Sequence, residues 1–133
     1  MTDTDMPTFL ALESERFVAL TTFRRDGTPV TTPVWIARDG DDLLVTTPSD
    51  SGKVKRLRRD DSVRLQPCSR VGRIKPGTVI QTGRAAIQSE ADEQRQAGRF
   101  REKYGLEYRL FLVVERIMKR GNAPRLLLRI RPD

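Results

Sequence analysis

Basic side chains crowd one stretch of this 133-residue chain. Between positions 53 and 75 there are nine positive charges and two negative charges, those of Asp60 and Asp61. Their sum, +7, equals the net charge of the whole sequence. The excess positive charge therefore lies in one segment and predicts an anionic ligand for it. Its basic residues are Lys53, Lys55, Arg56, Arg58, Arg59, Arg64, Arg70, Arg73 and Lys75.

The start of this basic segment has the composition of an anion-binding helix N-terminus. A helix is predicted over 49–60, and Ser51 and Gly52 precede Lys53 in its first turn. Backbone N–H groups without partners and the helix dipole favour a phosphate at such a position, and the lysine adds a full positive charge. We therefore expect Lys53 to contact a ligand. The helical spacing points three further basic residues to solvent: Lys55, Arg56 and Arg59.

Two residue types that perform most side-chain catalysis are nearly missing, since the sequence has no histidine and one cysteine, Cys68. This excludes Ser-His-Asp and Cys-His nucleophiles, the usual zinc sites and an imidazole base. Cys68 itself is expected to fill a core or edge position. Redox chemistry, if the protein performs any, would have to come from a bound cofactor.

Apolar runs separated by turn residues predict six strands with helices inserted between them. The strands are expected at 16–23, 29–37, 43–47, 61–68, 78–87 and 125–131, and the helices at 3–14, 49–60, 89–104 and 106–120. Asp26-Gly27 indicates a hairpin turn, and Ser89 with Asp92 has the spacing of a capping box. Mostly hairpin-linked strands favour a small antiparallel barrel, mainly β with inserted helices.

The length is that of one ordinary domain, so we expect a single domain over 1–133. The longest apolar stretch, 110–114, is too short to cross a bilayer, and no charged-then-apolar leader begins the sequence. A lone cysteine cannot form an internal disulfide, which fits a reducing compartment. We therefore expect a cytoplasmic protein without a membrane anchor.

The aromatic residues near the middle and end of the chain are predicted to pack rather than to bind. Trp35 lies on a predicted strand and is expected to contact the barrel or a dimer partner. Tyr104 shares a helix face with Phe100, so core packing is expected for it. Tyr108 is equally compatible with packing and with ligand contact.

Several segments, in their order and spacing, resemble the PPOX-class split-barrel flavin-binding family, in particular its oxidoreductases that use the deazaflavin coenzyme F420. The segments are FVALTT at 17–22, DGTP at 26–29, TPVW at 32–35, LLVTT at 43–47, KRLRRD at 55–60, KYG at 103–105 and LLLRIRP at 126–132. Together they extend over nearly the whole chain. The resemblance implies a six-stranded antiparallel split β-barrel of the α+β type, and a homodimer with two cofactor sites at its interface.

The same resemblance implies a set of cofactor-binding residues, with no catalytic residue and no metal ligand assigned. Those for the ring or its linker are Val30, Thr32 and Val34; those for polar contacts are Thr46 and Thr47; those for the phosphate are Ser51, Gly52 and Lys53. The loop that would line the same groove contributes Arg73, Lys75, Pro76 and Gly77. A further contact would come from the partner subunit's Tyr108.

An oxidoreductase is the activity that the resemblance implies, with reduced F420 transferring hydride to an unidentified small organic acceptor. The charge supports this cofactor independently, because its phosphodiester and polyglutamate tail make F420 more anionic than FMN. An FMN-dependent oxidoreductase, or a non-catalytic flavin or tetrapyrrole carrier of the same fold, is the alternative.

A nucleic-acid-binding barrel is the alternative from another class, since small barrels with basic stripes are common there. Such proteins stack bases on aromatic side chains. This sequence has no aromatic residue between positions 43 and 100, which includes the whole basic segment. Nucleic acid is therefore not the expected partner.

Overall fold

The computed structural model describes residues 6–107, 109, 110, 113 and 124–133. In these ranges the strands are β1 Phe17–Phe23, β2 Pro29–Val34, β3 Ala37–Asp39, β4 Asp42–Pro48, β5 Ser62–Cys68, β6 Gln81–Gln88 and β7 Arg125–Pro132. The helices are α1 Met6–Leu10, which continues into a 3₁₀ turn at Ala11–Ser14, α2 Gly52–Arg59 and α3 Glu90–Tyr104. None of these helices has the length and apolar composition that a bilayer span requires.

The strands form one antiparallel sheet in the order β2-β1-β5-β6-β7-β4-β3. The two edge strands, β2 and β3, follow each other in the chain with only Trp35 and Ile36 between them. Such a short connection reaches about 11 Å at most, so the sheet must curl until its edges come close. The result is a barrel that stays open between β2 and β3. The predicted class, a mainly β split barrel with inserted helices, is confirmed.

The predicted strand at 29–37 is two strands in the structure, so the described sheet has seven strands instead of the expected six. β2 pairs with β1 as far as Val34. After Trp35 and Ile36 the chain begins β3 at Ala37, which pairs with β4 at the other edge. The apolar run 34–37 looks like one continuous strand in the sequence, because nothing local marks the change of edge.

The end of α3 holds this change of edge in place. The Tyr104 hydroxyl accepts a hydrogen bond from the Ile36 N–H at 2.9 Å and donates one to the Arg16 carbonyl at 2.9 Å. The neighbouring Lys103 ammonium donates to the carbonyls of Glu15 and Ile36 at 2.6 and 2.7 Å. These contacts satisfy backbone groups at the point where the strand ladder is interrupted. Tyr104 is 4% exposed, which confirms the prediction that it is a core residue.

We expect Tyr104→Phe to lower the free energy of unfolding by about 1–3 kcal/mol at neutral pH, since buried backbone groups lose their partner. Burial raises the pKa of Tyr104 from 10.0 to about 12. In that interval the folded protein keeps the phenol proton and the unfolded chain loses it. The stability advantage of the wild type over the variant should therefore shrink by about 1.4 kcal/mol per pH unit there. Urea unfolding of the wild type and of Tyr104→Phe at several pH values measures this difference in the free energy of unfolding. A difference that does not change with pH would contradict the prediction.

Apolar side chains pack on both faces of the sheet. Inside the barrel lie alternate residues of four strands: Val18, Leu20, Leu43, Val45, Val63, Leu65, Leu128 and Ile130. On the outer face, α3 covers a second cluster: Trp35, Ala37, Leu44, Phe100, Tyr104 and Leu127. Successive residues of a strand point to opposite faces of the sheet. Because both faces are covered, residues 43–47 of β4 are all buried.

Several local predictions are confirmed and one strand starts later than expected. The capping box forms, with Ser89 Oγ accepting from the Asp92 N–H at 3.1 Å and the Asp92 carboxylate accepting from the Ser89 N–H at 3.0 Å. The strand expected at 78–87 begins only at Gln81. Before the strand begins, the Thr78 carbonyl accepts a hydrogen bond from the Gln66 side chain at 3.1 Å instead of pairing in the strand ladder.

The helix predicted over 106–120 lies largely outside the described residues. Within it, the structure shows helical backbone at Leu106, Glu107, Arg109, Leu110 and Val113. Gly105 separates this segment from α3 with a positive φ of +56°, a conformation that glycine adopts at little cost. The predicted stop of the preceding helix at Gly105 is therefore confirmed.

Candidate functional site

A groove of about 830 Å³ lies beside the open edge of the barrel. Most of its lining is apolar: Phe17, Pro33, Val34, Trp35, Pro48, Leu106 and Leu110. The polar part of the lining consists of Thr46, Thr47, Lys53, Arg70, Glu107 and Arg125. An apolar cleft with a few convergent polar groups is the usual form of a small-molecule site, and its cations favour a ligand that carries negative charge beside an apolar part.

Trp35 lines this groove, and packing of its ring against the protein fixes its position. Its ring stacks on Tyr104 with the ring centroids 4.9 Å apart and the planes inclined by 24°. The tyrosine in turn is tied to the backbone of Ile36, as described above. Trp35 is 9% exposed, so the prediction that it packs against the barrel is confirmed. The same packing makes it a rigid apolar surface for a ligand.

The start of α2 brings polar residues of three elements together at one end of the groove. Lys53 Nζ donates to Thr32 Oγ1 of β2 at 3.2 Å. The hydroxyl oxygens of Thr47, at the end of β4, and Ser51, at the start of α2, are 3.1 Å apart. Three separate sequence segments that were expected to bind the cofactor are therefore adjacent in space.

Arg56 lies near this end of the groove, behind its lining residues, contrary to the prediction that it faces solvent. Its side chain folds back over the first turn of α2, so a Cβ at Gly52 would lie 2.7 Å from the Arg56 guanidinium. The Arg56 Nε donates to Thr22 Oγ1 of β1 at 2.7 Å. Burial lowers the pKa of Arg56, and the positive charges of Arg24 and Arg59 lower it further. Glycine at position 52 leaves the room that this fold-back needs.

Thr46 is the centre of a hydrogen-bonded network in the groove wall. Arg125 Nε donates to Thr46 Oγ1 at 3.0 Å, and Arg125 Nη2 donates to the Thr46 carbonyl at 3.1 Å. The Thr46 hydroxyl donates to Glu93 Oε2 of α3 at 3.0 Å. Burial raises the pKa of Glu93, and the bond from Thr46 and the charge of Arg125 oppose this rise. These hydrogen bonds hold the side chains of Thr46 and Arg125 in the wall of the groove.

The opposite part of the groove carries a carboxylate between two arginines. Arg70 forms an ion pair with Glu107 at 2.8 Å, and Arg16 pairs with the same carboxylate. The Arg70 guanidinium also lies 5.7 Å from the centre of the Phe17 ring. Glu107 therefore offsets part of the positive charge of Arg16 and Arg70 in this part of the groove.

The candidate residues divide between those that line or adjoin the groove and those that lie away from it. Four line it, namely Val34, Thr46, Thr47 and Lys53, and three adjoin it, namely Thr32, Ser51 and Gly52. Val30 lies further along β2, opposite Thr22 of β1. Four loop residues are not among the described residues lining the groove: Arg73, Lys75, Pro76 and Gly77. Tyr108 lies outside the described residues.

The loop expected to bind the cofactor approaches the groove only at its beginning. Lys75 is turned away into an ion pair with Glu15 at 2.7 Å. Gly72, just before the predicted residues, lies against Pro33 of β2, because a Cβ there would be 3.6 Å from the proline Cδ. Arg70 is the residue of this region that reaches the lining.

Cys68 has no place in this site. It is 2% exposed at the end of β5, and burial raises the pKa of its thiol. A buried thiol with a raised pKa is a poor nucleophile. The prediction that Cys68 is a packing residue is confirmed.

The sheet order, the opening between β2 and β3 and the groove beside it define a split barrel of the PPOX class of flavin and deazaflavin proteins. A family model described as pyridoxamine 5′-phosphate oxidase matches residues 7–133. The chain belongs to that family. No curated protein matches this chain at a significant level.

Solved structures show the same fold in several different proteins. General Stress Protein 26 from Bacillus anthracis is 18% identical, with a TM-score of 0.63, over 96% of this chain and 88% of that chain. An F420 reductase is 20% identical, with a TM-score of 0.57, over 92% of this chain and 91% of that chain. A FAD-binding protein from Mesorhizobium loti is 18% identical, with a TM-score of 0.60, over 100% and 92%. Identities this low establish a shared fold and leave ligand and reaction open.

Proposed function

We propose that this protein is an oxidoreductase that binds coenzyme F420 in the groove and reduces a small organic acceptor with it. The observation that carries the proposal is the positively charged start of α2 at one end of an apolar groove. When bound, the reduced deazaflavin supplies a hydride. The chain itself supplies the apolar wall at Val34 and Trp35, a phosphate contact at Lys53, and exclusion of water from the ring.

The distribution of cations favours F420 over FMN. Beyond Lys53, three arginines continue the positive surface: Arg24, Arg56 and Arg59. In the part of the chain that the structure describes, none of these three forms an ion pair with a carboxylate. A single phosphate would meet Lys53 and leave the arginines without an anion, whereas a carboxylate-bearing tail extends the negative charge toward them.

FMN is the second candidate, because its ring and phosphate suit the same apolar wall and the same lysine. A related structure is described as a FAD-binding protein, which supports flavins as a class for this fold. Nucleic acid is not supported by the described part of the site, where the aromatic lining residues, Phe17 and Trp35, are packed against the barrel rather than interleaved with the basic helix.

We further propose a single cytoplasmic domain that acts as a homodimer. Three exposed apolar residues follow Gly105 at helical spacing, namely Leu106, Leu110 and Val113, which are 71%, 56% and 54% exposed. Two of them line the groove, so a second subunit packed on this stripe would also close the ligand site. The family match over 7–133 supports one domain, and the free Cys68 supports a reducing compartment.

Titration of the protein, purified without added cofactor, with F420 and with FMN tests the proposal. Trp35 is the only tryptophan of the sequence and lies on the groove, so its fluorescence reports a ligand there. We expect F420 to quench it to saturation at one molecule per chain, and FMN to bind more weakly. Sedimentation of the same samples should show a dimer. If FMN binds more tightly than F420, FMN takes the place of F420 as the proposed cofactor. If neither F420 nor FMN quenches the fluorescence of Trp35, the proposed function is rejected.

A further inference from the structure

Glu93 is a buried carboxyl group one hydrogen bond away from the groove. It is 8% exposed in the first turn of α3, and its Oε2 accepts a hydrogen bond from Thr46 Oγ1 at 3.0 Å. Thr46 lines the groove, whereas Glu93 is not among the lining residues. Burying a carboxyl group costs stability, and the other acids of this turn, Glu90 and Asp92, avoid that cost by remaining more exposed. The position of Glu93 is therefore compatible with a role in the groove.

The hydrogen-bonding capacity of a hydroxyl group links the protonation of Glu93 to what Thr46 presents to a ligand. A hydroxyl has one donor hydrogen and two acceptor positions. With Glu93 ionised, the Thr46 hydrogen points to the carboxylate, and Arg125 Nε fills one acceptor position at 3.0 Å. With Glu93 protonated, its O–H donates to Thr46 Oγ1, and both acceptor positions are filled. The hydrogen of Thr46 must then turn elsewhere, and the groove is the open side.

We propose that Glu93 is a positioning residue that supplies, through Thr46, the proton that accompanies hydride transfer to an acceptor in the groove. This inference rests on the proposed function. The bound reduced deazaflavin would supply a hydride to the carbon of a polarised acceptor, and the acceptor oxygen would then carry the negative charge. The Thr46 O–H bond breaks as its hydrogen bonds to that oxygen. The Glu93 O–H bond breaks as its proton moves to Thr46 Oγ1, which leaves Glu93 as a carboxylate.

The surroundings of Glu93 favour its protonated form more than water does. Burial raises the pKa of Glu93 and the charge of Glu90, on the same helix, raises it too. Arg125 from β7 and Arg101 from α3 lower it, as does the hydrogen bond from Thr46. The net direction is upward. A proton donor of this kind works below its pKa, so the rate of proton-coupled reduction should fall as the pH rises through that value.

Infrared difference spectroscopy during a pH titration of the ligand-free protein tests the link between Glu93 and Thr46. We expect a protonated carboxyl band whose midpoint lies above the ordinary glutamate range, and which is absent in Glu93→Gln. Its frequency should shift in Thr46→Val, which removes the hydroxyl at nearly constant shape, and should be retained in Thr46→Ser. Glu90→Gln, an exposed acid in the same turn, is the matched control: it should leave the frequency of the band unchanged and only lower its midpoint, because the charge that raises the pKa of Glu93 is removed. A band unaffected by Thr46→Val would overturn the link.

Single-turnover reduction of an acceptor by bound reduced F420 tests the proton delivery itself. Below the infrared midpoint, Glu93→Gln should slow the reduction about 10²-fold and abolish the inflection of its pH profile, while Thr46→Ser keeps the inflection. An inflection that persists in Glu93→Gln overturns the relay but leaves the proposed function standing, because binding is measured separately. Failure of F420 and FMN to bind rejects the proposed function, and the relay to a hydride acceptor with it.

Discussion

Trp35→Ala is expected to lower the free energy of unfolding by about 3–5 kcal/mol, the range for removing a large buried aromatic side chain. The ring is 9% exposed and stacks on Tyr104 at 4.9 Å, so its loss opens a cavity at the place where the chain changes from one sheet edge to the other. The same substitution removes a wall of the groove. We therefore expect binding of F420 to be weakened together with stability.

Trp35→Phe separates these two effects. Phenylalanine retains most of the packing on Tyr104, so the loss of stability should fall below that of the alanine variant, to about 1–2 kcal/mol. Urea unfolding followed by circular dichroism gives the stabilities, and the absorbance of the ligand gives binding, since neither variant contains tryptophan. If Trp35→Ala were as stable as Trp35→Phe, the ring would not be part of the core that holds the barrel edge.

The barrel could be predicted from the sequence because its determinants are local. Alternating apolar residues marked the strands, Asp26-Gly27 marked the first hairpin, and Ser89 with Asp92 marked the start of α3. The break at Trp35–Ile36 could not be found this way. Its hydrogen bonds come from Tyr104, which is 68 residues away from Ile36 in sequence. The local sequence around residues 34–37 does not indicate a hydrogen-bond partner so far away in the chain.

The residues of the candidate site likewise divide into those that the sequence could indicate and those whose position depends on distant partners. Thr46 and Lys53, which the resemblance assigns to the cofactor, line one groove, and their contact with a cofactor stays a prediction. Arg56 was misjudged because a helical wheel shows which way a side chain leaves the helix and not that it can fold back over Gly52 toward Thr22. Glu93 was missed because it resembles an ordinary acid in a first helical turn. Its burial depends on Thr46, a residue 47 positions earlier.

The two ends of the groove differ in what they offer an anion. At one end Glu107 pairs with Arg16 and Arg70, and its carboxylate offsets part of their charge. At the other end Lys53 donates to a neutral threonine hydroxyl, and Arg56 does the same. A bond to a neutral oxygen is readily exchanged for one to phosphate, because charge-assisted bonds are the stronger ones. The lysine end therefore offers an anion two cationic donors, Lys53 and Arg56, whose hydrogen bonds to threonine hydroxyls it can replace.

Lys53→Ala is accordingly expected to weaken F420 binding by about 1–3 kcal/mol, or roughly 5-fold to 150-fold in Kd. Lys55→Ala is the matched control, since it removes the same charge from the exposed face of the same helix. It should change binding by less than about 0.5 kcal/mol. Titrations at low and moderate salt distinguish a contact from a general attraction, because salt screens exposed charges most. Equal losses in the two variants, or unchanged affinity of Lys53→Ala at moderate salt, would remove Lys53 as the phosphate contact.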